Sequence, residues 1–197
     1  MGVKTIAAII LSAGQSKRMD RPKQLLSFKG ITLIEDVILK LEALDLEKII
    51  CITGHQNEQI EKHIASFDIE CLYNEHYKNG ISSSIASGIS YLKESLIING
   101  ALIVLTDQPL IPKSHYQLLI NTFKNNKQKI IATSYKETYG VPAIFDQSLF
   151  PKLVALKKDQ GAKSLIKELI NEVVLVECKE AANDIDTIED YKNLINL

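Results

Sequence analysis

A basic excess is the first thing this sequence lacks. Its 197 residues carry 23 lysines and arginines against 24 aspartates and glutamates, a formal net charge of −1. That balance argues against a general polyanion binder, because nucleic-acid proteins carry a basic excess or stripe. Cysteine is scarce too. Cys51, Cys71 and Cys178 stand far apart, and no pair has metal-ligand spacing. An odd number of isolated thiols, with no secretory leader, points to buried sulfhydryls in a reducing cytoplasm. Long hydrophobic runs are missing as well. "VKTIAAIIL" near the start is too short to span a bilayer and meets polar residues at once, so neither a membrane nor a nucleic acid is an expected partner. His55, His63, His76 and His115 show no zinc spacing, and a solvated or core role is expected for each. Gly-x-Ser-x-Gly is absent, which removes the serine-elbow hydrolases. No repeat, linker or coiled-coil heptad divides the chain, so residues 1–197 are expected to form one domain, and a monomer.

What is there is an alternation. Apolar content of 46% with 24% charged residues is ordinary for a globular protein. "TIAAIIL" (5–11), "KIICIT" (48–53), "IECLY" (69–73), "ALIVLT" (101–106), "KIIATS" (129–134) and "VVLVEC" (173–178) read as strands, several of them apolar on both faces. Between them lie helical patterns. "TLIEDVILKLEALD" puts Leu33, Val37, Leu41 and Leu44 on one side, with Thr32 and Glu35 spaced as a capping box. The alternation predicts a three-layer, Rossmann-like α/β fold with a mostly parallel sheet. Residues 135–150 are less regular, and "YKETYGVPAIF" reads as a loop and an edge strand running the other way. Ligands of such sheets sit outside the carboxyl ends of the strands, so the tails of the apolar runs are where function is sought.

The first tail is "LSAGQSKRMDRPKQLL" (11–26). It lacks the Gly-Lys-Ser/Thr ending of a Walker loop and the three glycines of the dinucleotide fingerprint. After Leu11 it offers Ser12, Ala13, Gly14 and Ser16, whose small side chains let backbone N–H groups approach an anion, with Arg18 and Lys23 to neutralise its charge. A triphosphate suits that set. The plainer account is a solvated basic loop.

Two further segments bear carboxylates. "LTDQPLIP" ends a strand with Asp107, Gln108 and Pro109, and "NDIDTIEDY" supplies Asp184 and Asp186 ahead of a helix. Magnesium is commonly held by one or two carboxylates plus phosphates and water, so Asp107 and Asp186 suffice as its ligands, with Asp184 structural. Asp186 or Thr187 is equally a helix cap. "NGISSSIASGI" opens a helix with free N–H groups and hydroxyls suited to a ribose, base edge or anion, although capping by Ser82 or Ser83 explains one serine.

These segments resemble the nucleotidyltransferases of GT-A-type, Rossmann-like fold, with their L-A-A-G-x-S-x-R-M-G-x-x-K signature. Ser12 and Asp20 stand where that pattern has Ala and Gly. The Pro-Lys-Gln-Leu-Leu ending, Asp-Gln-Pro and Asp-Ile-Asp-Thr resemble most of all the molybdenum cofactor cytidylyltransferase branch. The resemblance implies Mg²⁺ on Asp107 and Asp186, and catalytic roles for Arg18, Lys23 and Asp107. It implies nucleotide contacts at the opening loop and around Asn79, Gly80, Ser82, Ser83 and Ser84. It further implies an acceptor site at Gln108, Pro109, Gly140, Pro142 and Lys163, with Val141 where a polar residue is common. The expected reaction moves CMP from CTP to molybdopterin-bound molybdenum and releases pyrophosphate. The alternatives are guanylyl or other nucleotidyl transfer to a different phosphate, such as a sugar or alcohol phosphate, and a non-catalytic maturation chaperone for a molybdenum-enzyme client.

Overall fold

The computed structural model describes residues 4–16, 19, 22–95 and 97–195. Along the chain run β1 (Ile6–Leu11), β2 (Ser27–Phe28), β3 (Ile31–Thr32), α1 (Leu33–Glu42), β4 (Lys48–Thr53), α2 (Asn57–Ile64) and β5 (Glu70–Tyr73). Then follow α3 (Ile81–Ser95), β6 (Gly100–Leu105), α4 (Lys113–Asn125), β7 (Ile130–Tyr135) and β8 (Thr138–Asp146). The last elements are α5 (Phe150–Val154), α6 (Ala162–Glu168), β9 (Val173–Glu177) and α7 (Ile188–Ile195). All six apolar runs are strands. The capping box at α1 is formed, with Glu35 N–H donating to Thr32 Oγ1 and the Glu35 carboxylate accepting from Thr32 N–H.

Seven strands make one sheet in the order β5-β4-β1-β6-β8-β7-β9, and β2 and β3 form a separate hairpin. β1 pairs in parallel with β4 and β6, β4 with β5, and β7 with β9. β8 alone runs antiparallel. The reversed strand is therefore where the sequence places it along the chain, but it lies inside the sheet rather than at an edge. Pro142 argues for an edge, since it cannot donate to a ladder. A register shift resolves this. Ala132 pairs with Ala143 and Thr133 with Gly140, leaving Val141 and Pro142 outside the ladder while the buried Ala143, Ile144 and Phe145 fill the interior.

Side-chain alternation along β1 explains the layers. Ile6, Ala8 and Ile10 join the core beneath α1, α2 and α4. Ala7, Ile9 and Leu11 join the core beneath α3, α5 and α6. His115 of α4 is a core histidine, as expected. Its Nε2 is 2.8 Å from Thr133 Oγ1, which itself donates to the Pro142 carbonyl, so the ring is the donor. Burial pushes this imidazole below its ordinary value. A third, smaller cluster of Leu26, Phe28, Leu33, Ile185 and Leu194 fastens α7 and the segment before it to the hairpin.

β1 has β4 on one side and β6 on the other, so the winding reverses between β1 and β6. Such a switch point opens a crevice at the carboxyl ends of its strands. Leu11 and Leu105 are register partners there, and the loops that follow both strands are the ones read above as functional.

Candidate functional site

A cavity of about 570 Å³ opens at this crevice, between the loop after β1 and the start of α3. That volume lies within the usual range for small-molecule sites. Leu11, Ala13, Gly14, Ser16 and Lys23 of the opening loop line it. Ser12 lies beneath, 1% exposed. The loop is held by its own residues: Lys23 N–H donates to Ser16 Oγ at 3.1 Å, and Gln24 Nε2 donates to the Ser12 carbonyl at 2.9 Å. Arg18, assigned above to the phosphates, lies outside the described residues.

Lys23 reaches across the crevice. Its ammonium bonds Asp107 Oδ2, stands 3.6 Å from Asp186 Oδ1, and donates to the Ile185 carbonyl at 3.3 Å. The two carboxylates, 79 residues apart in sequence (186 minus 107), therefore converge on one cation. The main chain holds them there, because Ile185 N–H donates to the Asp107 carbonyl at 2.9 Å. Thr187 caps α7 by accepting from Asp190 N–H, and the neighbouring Asp186 carboxylate stands beside the Lys23 ammonium. Burial pushes the Asp184 carboxyl above its ordinary value, with Asp107 and Asp186 adding to the effect and the Gln108 hydrogen bond opposing it. Asp184 accepts from Gln108 Nε2 at 2.9 Å.

The same bond places the Gln108 side chain, which is buried and held against Asp184. Pro109 is buried, and its carbonyl accepts from Lys40. Ser12 Oγ, Gln24 Oε1, Asp107 Oδ1 and Gln108 Oε1 are buried without a partner among the described residues. Orphaned polar atoms are rare in native proteins and are expected where water, an ion or a ligand completes the structure. Of these atoms Asp107 Oδ1, on the carboxylate that shares Lys23 with Asp186, is of the kind a hard divalent cation favours, with its remaining ligands taken from phosphates and water.

On the opposite wall, Gly80, Ile81 and Ser84 line the cavity, whereas Asn79, Ser82 and Ser83 do not. The three serines serve the fold. Ser82 donates to the Lys158 carbonyl at 2.7 Å, Ser83 donates to the carbonyls of Gly80 and His76, and Ser83 and Ser84 accept from Asn74. Gly80 has φ +96°, and a Cβ there would meet the Lys158 carbonyl oxygen at 2.4 Å, so only glycine suits this turn. That contact brings in Asp159, which lines the cavity and which the sequence analysis missed, as it did Thr106 and Tyr77. Nothing in the spacing of Gly80 and Asp159 signals their meeting. Gly140, Pro142 and Lys163 lie outside the cavity lining. Gly140 and Pro142 are buried, and Lys163 donates to Thr138 Oγ1 at 2.8 Å.

Sheet, switch point and converging carboxylates define an α/β protein of Rossmann-like class with a cavity at the end of β1. Residues 8–173 match the model of the MobA-like NTP transferase domain, and the chain belongs to that family. It is 25% identical over 166 residues to the bifunctional protein GlmU of Francisella tularensis subsp. novicida, covering 83% of this chain and 35% of that one. It thus spans about a third of the length of the curated relatives it matches. Among solved structures, Rv0371c from Mycobacterium tuberculosis in complex with manganese superposes with a TM-score of 0.81 at 21% identity, covering 98% of this chain and 99% of that one. The 4-diphosphocytidyl-2C-methyl-D-erythritol synthase of Anaerococcus prevotii gives 0.76 at 19%, covering 98% and 95%. Both likenesses bear on the fold. No described helix is long and apolar enough to cross a membrane.

Proposed function

We propose that the chain is a nucleotidyltransferase that moves CMP from CTP to a phosphorylated acceptor, molybdopterin-bound molybdenum by first choice, and releases pyrophosphate. One observation carries this reading: Lys23, Asp107 and Asp186 converge at the mouth of a nucleotide-sized cavity. An acceptor phosphate oxygen attacks the α-phosphorus, and the bond from that phosphorus to the bridging oxygen of pyrophosphate breaks. Such chemistry needs positioning and charge neutralisation rather than a covalent nucleophile. Asp107 and Asp186 would hold Mg²⁺, which when bound supplies charge neutralisation at the phosphates. Lys23 stabilises the charge that develops at the α-phosphate, Arg18 holds the β- and γ-phosphates, and the loop from Ala13 to Ser16 cradles the chain of phosphates.

The manganese complex of a structural neighbour supports a divalent ion, and a neighbour named for a cytidyl product supports CTP. Free Cys51, Cys71 and Cys178 support a reducing, cytoplasmic setting, and we read residues 1–197 as one nucleotidyltransferase domain. The test is pyrophosphate release from CTP, GTP and UTP, each with the molybdenum-loaded pterin, a sugar phosphate or an alcohol phosphate. Release that requires CTP and the pterin supports the proposal. Release with another pair moves the protein to another branch of the family, and nucleotide binding with no release favours a maturation partner for a molybdenum-enzyme client.

A further inference from the structure

Gln24 has no role in the reading above, yet its surroundings assign it one. It follows Lys23 in a 3-10 turn and is 2% exposed. A primary amide so deeply buried is costly unless its hydrogen bonds matter. Its Nε2 donates to the carbonyls of Ser12, at 2.9 Å, and Gly14, at 3.3 Å. The carbonyl between them, that of Ala13, accepts from His55 N–H at 3.3 Å. Three successive carbonyls are thus engaged by the body of the protein.

The consequence lies in the peptide plane. In a trans peptide the C=O of one residue and the N–H of the next point in opposite directions. Anchoring the carbonyls of Ser12, Ala13 and Gly14 therefore turns the N–H groups of Ala13, Gly14 and Gln15 the other way. All three residues line the cavity, and their N–H groups meet no acceptor among the described residues. Successive N–H groups aimed into one concavity bind anions.

We propose that Gln24 is the positioning residue of the opening loop: by holding the Ser12 and Gly14 carbonyls it presents the amides of Ala13 and Gln15 to the polyphosphate of the nucleotide, while His55 N–H, on the Ala13 carbonyl, sets the Gly14 amide between them. Lys23 and Gln24 thus divide the work, one facing the carboxylates and the other the loop. The inference rests on the nucleotide reading above and adds a residue that acts through the loop, although it also borders the cavity.

The test is Gln24→Met, which keeps an unbranched side chain of similar size and removes both donors. Mg²⁺ with CTP, CMP or inorganic tripolyphosphate is titrated into wild type and variant, and thermal unfolding is followed without ligand. Affinity for CTP and tripolyphosphate is expected to fall on the order of 10-fold to 100-fold, with CMP affinity changed less than about twofold. A purely structural role would weaken all three alike, and that result, or no loss at all, overturns the inference. Wild type that binds tripolyphosphate but no nucleotide would sink the nucleotide reading and leave Gln24 testable on the anion. Should Gln24→Met not fold, the wild-type amide resonances of Ala13, Gly14 and Gln15 decide. They shift on adding tripolyphosphate if the proposal holds, and stay unmoved if it fails.

Discussion

At the scale of single residues, Lys23 is the hinge of the site. It meets both Asp107 and Asp186, so its ammonium neutralises two carboxylates that would otherwise repel. Removing a preorganised charge of this kind costs about 10² to 10³ in rate. Lys23→Ala is accordingly expected to lower kcat by that factor while its circular dichroism stays that of wild type. A rate within about threefold of wild type would remove the catalytic role. The same scale shows what could be read in the sequence. The meeting of Lys23, Asp107 and Asp186 was legible in part because Asp107 ends an apolar strand and Asp186 precedes a capped helix, both near the carboxyl end of the sheet. Gln108 and Ser82 show the limit of such reading, because a polar residue in such a place can equally bond the protein, as both side chains do here. Asp159 was invisible, since its position depends on the contact of the Lys158 carbonyl with Gly80 and Ser82.

At the scale of elements, periodicity and caps carried most of the information. The long helices and six of the seven strands of the sheet have clear patterns, and the Thr32–Glu35 box fixes the start of α1. The hairpin of β2 and β3 and the one-turn α5 escaped notice because two to five residues hold no period. The capping box gives a prediction with a pH signature. Its hydrogen bond from the Thr32 side chain holds the Glu35 carboxyl below its ordinary value of 4.5. A lowered carboxyl contributes stability above 4.5 that fades as the pH falls through the lower, folded value. Thr32→Ala is expected to cost about 1 kcal/mol in urea unfolding at pH 7. The difference from wild type should narrow in acid, and a constant difference from pH 7 to pH 3 would contradict this origin.

At the scale of the molecule, the site exists because three distant segments meet at one switch point of the sheet. The opening loop leaves β1, the Asp107 segment leaves β6, and residues 183–187 arrive from the far end of the chain. That last arrival depends on the satellite core, in which Leu194 and Ile185 pack with Leu26, Phe28 and Leu33. Leu194→Ala is expected to lower stability by about 2 kcal/mol, the low end for a buried leucine. It should also weaken Mg²⁺-dependent nucleotide binding, though Leu194 touches neither carboxylate. Unchanged binding with reduced stability would separate the satellite core from the site. The central claim is that Asp107 and Asp186 make a metal-dependent nucleotide site with the opening loop. It is tested most directly by calorimetric titration of CTP, with and without Mg²⁺, into wild type and Asp107→Ala. The account predicts binding to wild type that requires Mg²⁺ and is lost in the variant; binding that ignores Mg²⁺, or that survives the substitution, would contradict it.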